Sequence, residues 1–341
     1  MDSVSQIVLG AAVGEAVLGK KAGNKAAMWG AICGTLPDLD VIANLFLGQY
    51  DATAAHRGFS HSILFCILAA PAIGWGIRKL YNIELGTQQN WTWLAFWALL
   101  THPLLDCFTT WGTQLFYPFT DYRVAINSIF VVDPIYTVPF GICLIVALFL
   151  RRTSKARRFW NWLGIALSCF YLVITVTNKL TAEAYFKNAL HKQGKSVRNL
   201  STYPTFMNSI LWYCVAEEPS GYEMAYHSLL GDARNIKFRY FAKQRKNLEP
   251  YEDDRVVKGL HWLSKEQFVT RKLNDTIHWY DMRFGLIDLG PENPDDPMPF
   301  SFIYKLVEED STIVDIETIR PDASRMGGEQ MDALWEKIKG N

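Results

Sequence analysis

Apolar residues run in long blocks up to about residue 178 and in short alternating stretches after it, so the chain changes character once along its length. Four blocks, residues 60–77, 91–108, 129–150 and 159–178, approach the roughly 20 apolar residues a helix needs to cross about 30 Å of hydrocarbon. Two others are weaker. Residues 4–18 are short and Gly/Ala-rich, and 26–47 are interrupted by Pro37, Asp38 and Asp40, which suits a helix buried among others or a re-entrant segment. The pattern predicts a multi-span α-helical membrane domain of about six helices over 1–178. The first block follows no basic stretch and runs into lysines without a clean cleavage site, so it reads as retained and not as a signal peptide.

Beyond 178 the periodicity predicts a helix continuing over 179–190, then strands over 210–216, 223–229, 236–241, 277–284, 300–307 and 312–319, with helices over 254–263 and 329–338. Pro291, Pro294 and Pro297, with Asp295 and Asp296 between them, mark a loop. This is a small α+β soluble domain over 179–341, mainly antiparallel.

Charge follows the same division. Residues 1–178 hold twelve of the 34 Lys+Arg and nine of the 34 Asp+Glu. With net charge +0 and no concentrated basic surface, a nucleic-acid partner is not expected. Ten basic residues (Lys20, Lys21, Lys25, Arg78, Lys79, Arg151, Arg152, Lys155, Arg157, Arg158) lie in one set of alternate loops and two, Arg57 and Arg123, in the other. Basic residues in short loops stay cytoplasmic. Both termini and the polar half are therefore expected outside the cytoplasmic membrane. Trp91, Trp93, Trp111, Trp160 and Trp162 stand near span ends and suit interfacial belts. Five of the six cysteines lie in apolar stretches and none forms a C-x-x-C pair, so they read as small hydrophobes.

Three motifs put ionisable groups in or beside the spans, all at their expected outer ends: Pro37-Asp38-Leu39-Asp40, His56-Arg57-Gly58-Phe59-Ser60-His61-Ser62 and His102-Pro103-Leu104-Leu105-Asp106. An Asp at a helix centre costs about 3 kcal/mol on insertion scales, so three carboxylates need partners. A divalent cation would neutralise them with fewer groups than basic side chains would. His102 and Asp106 are four apart and share a helix face, as two ligands of one metal or of adjacent metals would. His56 and His61 are five apart, so one belongs to the loop and the other to the first helical turn. Imidazole nitrogen and carboxylate oxygen without thiolate favour Zn²⁺, with Mn²⁺ or Fe²⁺ also suited.

Simpler readings stand beside this one. Asp38 suits a helix cap after a break at Pro37, Asp40 an interhelical hydrogen bond, Asp106 a pairing with Arg123, and Asp133 a cap for the next span. His191, His227, His261 and His278 have no partner spacing and read as surface or strand residues.

At these motifs the sequence resembles the bacterial membrane-bound metal-dependent hydrolases, the YdjM-like, LexA-regulated inner-membrane group. The features that match are the small-residue N-terminal helix, P-D-L-D at 37–40, H-R-G-F-S-H-S at 56–62, H-P-L-L-D at 102–106, Thr109-Thr110-Trp111-Gly112-Thr113 and Pro118-Phe119. The family's His/Asp pattern is similar to that of the zinc phospholipase C and P1 nuclease group. Carried over by position, it implies the metal ligands Asp38, Asp40, His56, His61, His102 and Asp106. The soluble group's further histidines and N-terminal Trp ligand have no counterpart here, which implies one or two zinc ions.

The expected function is a membrane-bound metal-dependent hydrolase. It would act like a phosphoesterase on a lipid or lipid-linked substrate at the outer face of the cytoplasmic membrane. Asp38 or Asp40, if not a ligand, would be the general base, and Arg57 and Arg123 are the cations available to a phosphate oxygen, or else carboxylate partners. A transporter or metal-ion pathway, and a non-catalytic scaffold with a structural metal, are the competing classes. Motifs confined to one face and the absence of an inverted repeat count against transport.

Overall fold

The computed structural model describes residues 1–81, 83–287, 298–319 and 328–340. The proline-rich loop at 291–297 lies outside the described residues. The chain divides into two compact units: residues 1–43, 55–176 and 206–208 form one, and residues 44–54, 177–205 and 209–341 the other.

The helices of the N-terminal half are α1 (Ser3–Ala22), α2 (Asn24–Thr35), α3 (Gln49–Ala55), α4 (Ile63–Leu80), α5 (Gln88–Asp106), α6 (Pro134–Phe149) and α7 (Lys155–Lys192), with a 3-10 helix over Leu36–Leu45. Their starts are written locally. The Asp2 carboxylate accepts from the amides of Val4 and Ser5, Ser62 caps α4, and Thr87 and Asn90 form a reciprocal capping box on α5. Asp133 caps α6 with Pro134 at the first helical position, the role its sequence context suggested.

Helices α1 and α2 approach backbone to backbone. A Cβ on Gly10 would stand 2.4 Å from the Gly30 carbonyl oxygen, and one on Gly30 2.2 Å from that of Gly10. The Gly10-xxx-Gly14 and Gly30-xxx-Gly34 pairs are the small-residue spacing that lets helices meet this closely. Between α1 and α7 lies a buried ion pair: Arg157 Nε and Nη2 each donate to a Glu15 carboxylate oxygen at 2.6 Å.

The expectation of about six spans is corrected. Among the described residues two helices, α4 and α7, are long and apolar enough to cross a membrane by length and composition, and α6 is a shorter apolar helix of 16 residues. The expected 26–47 stretch is a 12-residue helix followed by the 3-10 helix, because Pro37 cannot continue an α-helical ladder. The other two helices are too polar: α1 carries buried Gln6 and Glu15, and α5 opens on Gln88-Gln89-Asn90 and carries His102 and Asp106. Trp91, expected in an interfacial belt, is buried and stacked on Tyr81.

In the second unit β1 (Asn199–Pro204), β2 (Leu211–Glu217), β3 (Gly221–Ser228) and β4 (Arg239–Ala242) form one antiparallel sheet in that order. β5 (Phe268–Leu273), β6 (Thr276–Asp281), β7 (Ile303–Glu309) and β8 (Thr312–Ile319) form a second. Strand β2 is buried on both faces. Trp212 and Cys214 pack on Ala182 and Phe186 of α7, while Tyr213 and Val215 join Val269 and Tyr280 of the other sheet. Beyond that sheet, Val256, Val257 and Leu260 of α8 (Arg255–Ser264) cover Phe268 and Trp279. The layers run helix, sheet, sheet, helix, and α9 (Gly328–Lys339) closes the described chain. The mainly antiparallel α+β expectation holds with two sheets in place of one, and the strands at 199–204 and 268–273 are additional. Tyr50 of α3 joins the α8 core, so the loop after the 3-10 helix belongs to this unit.

Candidate metal centre

Four side chains from three segments converge in the helical unit. The 3-10 helix brings Asp38, the turn before α4 brings His61, and the last turns of α5 bring His102 and Asp106, one helical turn apart. His61, His102 and Asp106 are buried and the Asp38 side chain is 23% exposed. His61 Nε2 and His102 Nε2 are 3.1 Å apart, each stands 3.4 Å from Asp38 Oδ1, and each stands 3.6 Å from Asp106 Oδ2. All four donor atoms lie within 4.8 Å of one another.

These separations identify what the cluster suits. A charge-assisted N–H···O bond is about 2.7–2.9 Å long, so the carboxylates are too far from the imidazoles for good ion-pair hydrogen bonds. A regular tetrahedron of edge about 3.4 Å has its centre about 2.1 Å from each corner, the length of a Zn–N or Zn–O bond; five of the six edges here are 3.1–3.6 Å, and the sixth, from Asp38 to Asp106, is within 4.8 Å, so the donors form an opened tetrahedron of about that size.

Ring protons point the same way. His102 Nδ1 lies 2.5 Å from the Gly34 carbonyl oxygen, an acceptor only, so Nδ1 carries a proton, and in the neutral ring the Nε2 lone pair faces the cluster. His61 Nδ1 faces Ser60 Oγ at 3.0 Å and Asp40 Oδ2 at 3.3 Å, which commits its proton in the same sense. Asp106 Oδ1 is taken by the Met1 ammonium and by Gln6 Nε2 at 3.0 Å. Its Oδ2 is buried without a hydrogen-bond partner among the described residues. Lone pairs facing one another across a buried gap repel, and a cation at the centre removes the conflict.

A second layer holds these donors. Asp40 accepts from His56 Nδ1 at 2.8 Å, from the Arg57 amide at 2.9 Å and from Ser60 Oγ at 3.0 Å, and its Oδ2 stands 3.3 Å from His61 Nδ1. It thus stands behind His61 as the orienting carboxylate of a carboxylate–histidine–metal arrangement. Arg57 adopts φ 62°, a left-handed conformation costing about 1–2 kcal/mol for a side-chain-bearing residue. With its amide on Asp40, its Nε stands 3.2 Å from Asp106 Oδ2 and its Nη1 donates to Thr109 Oγ1 at 2.8 Å. Nε meets the ion-pair distance but not hydrogen-bond geometry, so its effect on Oδ2 is electrostatic.

Of the six residues the resemblance implied as ligands, Asp38, His61, His102 and Asp106 therefore meet at one point, and Asp40 and His56 sit one layer out. Both arginines considered for a phosphate oxygen are buried: Arg57 serves Asp106 and Thr109, and Arg123 Nη2 donates to the His56 carbonyl at 3.0 Å. Sequence reading left out Gln6, Ser60 and the Gly34 carbonyl. Gln6, a polar residue inside an apolar run, carried a signal, whereas a carbonyl carries none.

Residues 1–182 match the family described as YdjM inner membrane protein. The chain belongs to that family. It is similar to the inner membrane protein YbcI of Escherichia coli K12, 32% identical over 125 residues, which cover 35% of this chain and 70% of YbcI. It is also similar to the protein YfhP of Bacillus subtilis 168, 30% identical over 202 residues, which cover 56% of this chain and 58% of YfhP. No solved structure matches. Within this inner-membrane family, all four donors and their supporting layer fall inside the matched region, and β1 to β8 fall outside it.

Proposed function

We propose that the protein is a metal-dependent hydrolase that holds one zinc ion through Asp38, His61, His102 and Asp106. Its substrate would be a phosphoester of a lipid or lipid-linked molecule at the outer face of the inner membrane. The observation that carries the reading is the set of two Nε2 atoms and two carboxylate oxygens of which five of the six separations are 3.1–3.6 Å, with both Nδ1 atoms turned to acceptors elsewhere. Zinc would supply a Lewis acid that brings water within reach of ionisation near pH 7 and polarises a phosphoryl oxygen.

The protein's own groups would act around it. Asp38, the partly exposed member of the four, marks the side open to substrate and water. Asp40 accepts hydrogen bonds from three groups and stands 3.3 Å from His61 Nδ1, so it orients His61 instead of taking a proton. Arg57 offsets the charge of Asp106. The multi-pass topology and the outer position rest on the basic ends of the two candidate spans: Arg78 and Lys79 close α4 at the end away from His61, and Lys155, Arg157 and Arg158 open α7.

One observation favours a second reading. Four protein donors already complete a tetrahedron, as in structural zinc sites, whereas catalytic sites keep a position open. Metal analysis and phospholipid turnover on one detergent preparation separate the two. About one zinc per chain with metal-dependent turnover, both lost in His61→Ala, is expected. Bound zinc without turnover of any substrate favours the scaffold, and absence of any transition metal removes both readings. Mn²⁺ and Fe²⁺ suit the same donors, and the analysis distinguishes them.

A further inference from the structure

Exposed apolar side chains alternate with the donors along the same short segments. Leu39, between Asp38 and Asp40, is 56% exposed, and Phe59, two residues before His61, is 50% exposed. Val41 and Ile42 continue the exposed side of the 3-10 helix, each 49% exposed. Phe59 contacts Tyr117 edge to face at 6.2 Å between centroids, and Phe119, two residues on, is 86% exposed. Large apolar groups gathered around a polar buried centre mark a surface that meets an apolar partner.

Chain continuity says which partner. His61 ends two residues before α4, whose 18 residues make it a candidate span. Eighteen residues of helix measure about 27 Å, close to the hydrocarbon thickness. The segment joined to its N-terminal end therefore stands where headgroups meet acyl chains. That level is where aromatic side chains settle in membrane proteins.

We infer that Leu39, Val41, Ile42, Phe59, Tyr117 and Phe119 form a lipid-contacting collar through which a membrane phospholipid reaches the metal centre sideways from the leaflet. The headgroup phosphate lies toward Asp38 and the acyl chains stay on the collar. The inference rests on the hydrolase reading for its consequence in turnover and is independent of it for lipid contact.

The test uses the full chain in nanodiscs of phosphatidylcholine and phosphatidylglycerol, with benzoylphenylalanine in place of Phe59, of Phe119 or, as a control, of Lys272, which is exposed on β5. Irradiation is expected to attach phospholipid at 59 and 119 and not at 272. No lipid adduct at 59 and 119, or crosslinks there to a second protein chain alone, overturns the collar. In parallel, Leu39→Ser with Phe59→Ser is expected to lower the ratio of long-chain phospholipid turnover to bis(p-nitrophenyl) phosphate turnover by about tenfold. A ratio that stays at the wild-type value overturns the sideways route. If the wild type cleaves neither substrate the hydrolase reading fails, and the crosslinks still decide the surface.

Discussion

His61 and His102 present their Nε2 atoms to each other at 3.1 Å, with each Nδ1 held by an acceptor of its own. A single proton between them would satisfy one edge of the cluster and leave Asp38 Oδ1 and Asp106 Oδ2 without a donor from either ring. Replacing His102 with Ala is expected to reduce bound zinc from about one per chain to none detectable after dialysis, and Asp40→Asn to weaken zinc about 10–100-fold, as loss of a supporting carboxylate does. Competition with a chromogenic chelator measures both, and equal affinities in Asp40→Asn and wild type would remove the orienting role of Asp40.

The glycine contact between α1 and α2 supports the centre from a distance. Gln6 of α1 reaches Asp106, and Gly34 at the end of α2 accepts from His102. A methyl group at Gly10 or Gly30 would meet backbone, which cannot give way as a side chain can. Gly30→Val is expected to destabilise by at least about 1–3 kcal/mol, the usual range for overpacking, and to lower zinc occupancy at the same time. Thermal unfolding in detergent and metal analysis report the two effects, and a stable variant with full zinc contradicts the coupling.

Glu15 and Arg157 form a bidentate pair with side chains 6% and 3% exposed. Removing one partner from a buried pair strands the other charge, which typically costs about 3–5 kcal/mol, whereas replacing both with apolar groups of similar size is often neutral. Arg157→Met should therefore unfold at a clearly lower temperature than the wild type. Glu15→Leu with Arg157→Met should recover most of the loss, and a double variant worse than the single would refute this account.

His227 on β3 is 7% exposed, and its Nε2 is buried without a hydrogen-bond partner among the described residues. Burial pushes its pKa below the usual 6.5, outweighing the opposing effect of Asp232. The unfolded chain therefore takes up this proton before the folded one does, so the contribution to stability is complete above about pH 6.5 and is lost as pH falls toward the folded value. His227→Gln should narrow the drop in unfolding temperature between pH 7.5 and 5.5. An unchanged drop would show that other groups carry the acid sensitivity.

The legible parts of the chain were those in which a residue's role is set within a few positions of itself. The i, i+4 spacing of His102 and Asp106 and the cap formed by Asp133 before Pro134 depend on one turn of helix, and both are present. Strand β2 was readable from a continuous apolar run, because both of its faces are buried. Strand β1, Asn-Leu-Ser-Thr-Tyr-Pro, was not, since polar residues and a terminal proline hide its pairing with β2. Span number failed for a related reason: apolar length alone does not separate a helix that faces lipid from one whose small residues pack against other helices.

By itself, the sequence determined the division into an apolar helical half and an alternating half, and it singled out three His/Asp motifs as one group. Tertiary structure decided which members meet. Asp38 and Asp40 differ by two positions on one 3-10 helix, yet one turns toward the imidazole Nε2 atoms and the other toward His61 Nδ1. That difference depends on where α5 and the turn before α4 are held in space, and no spacing along the chain encodes it.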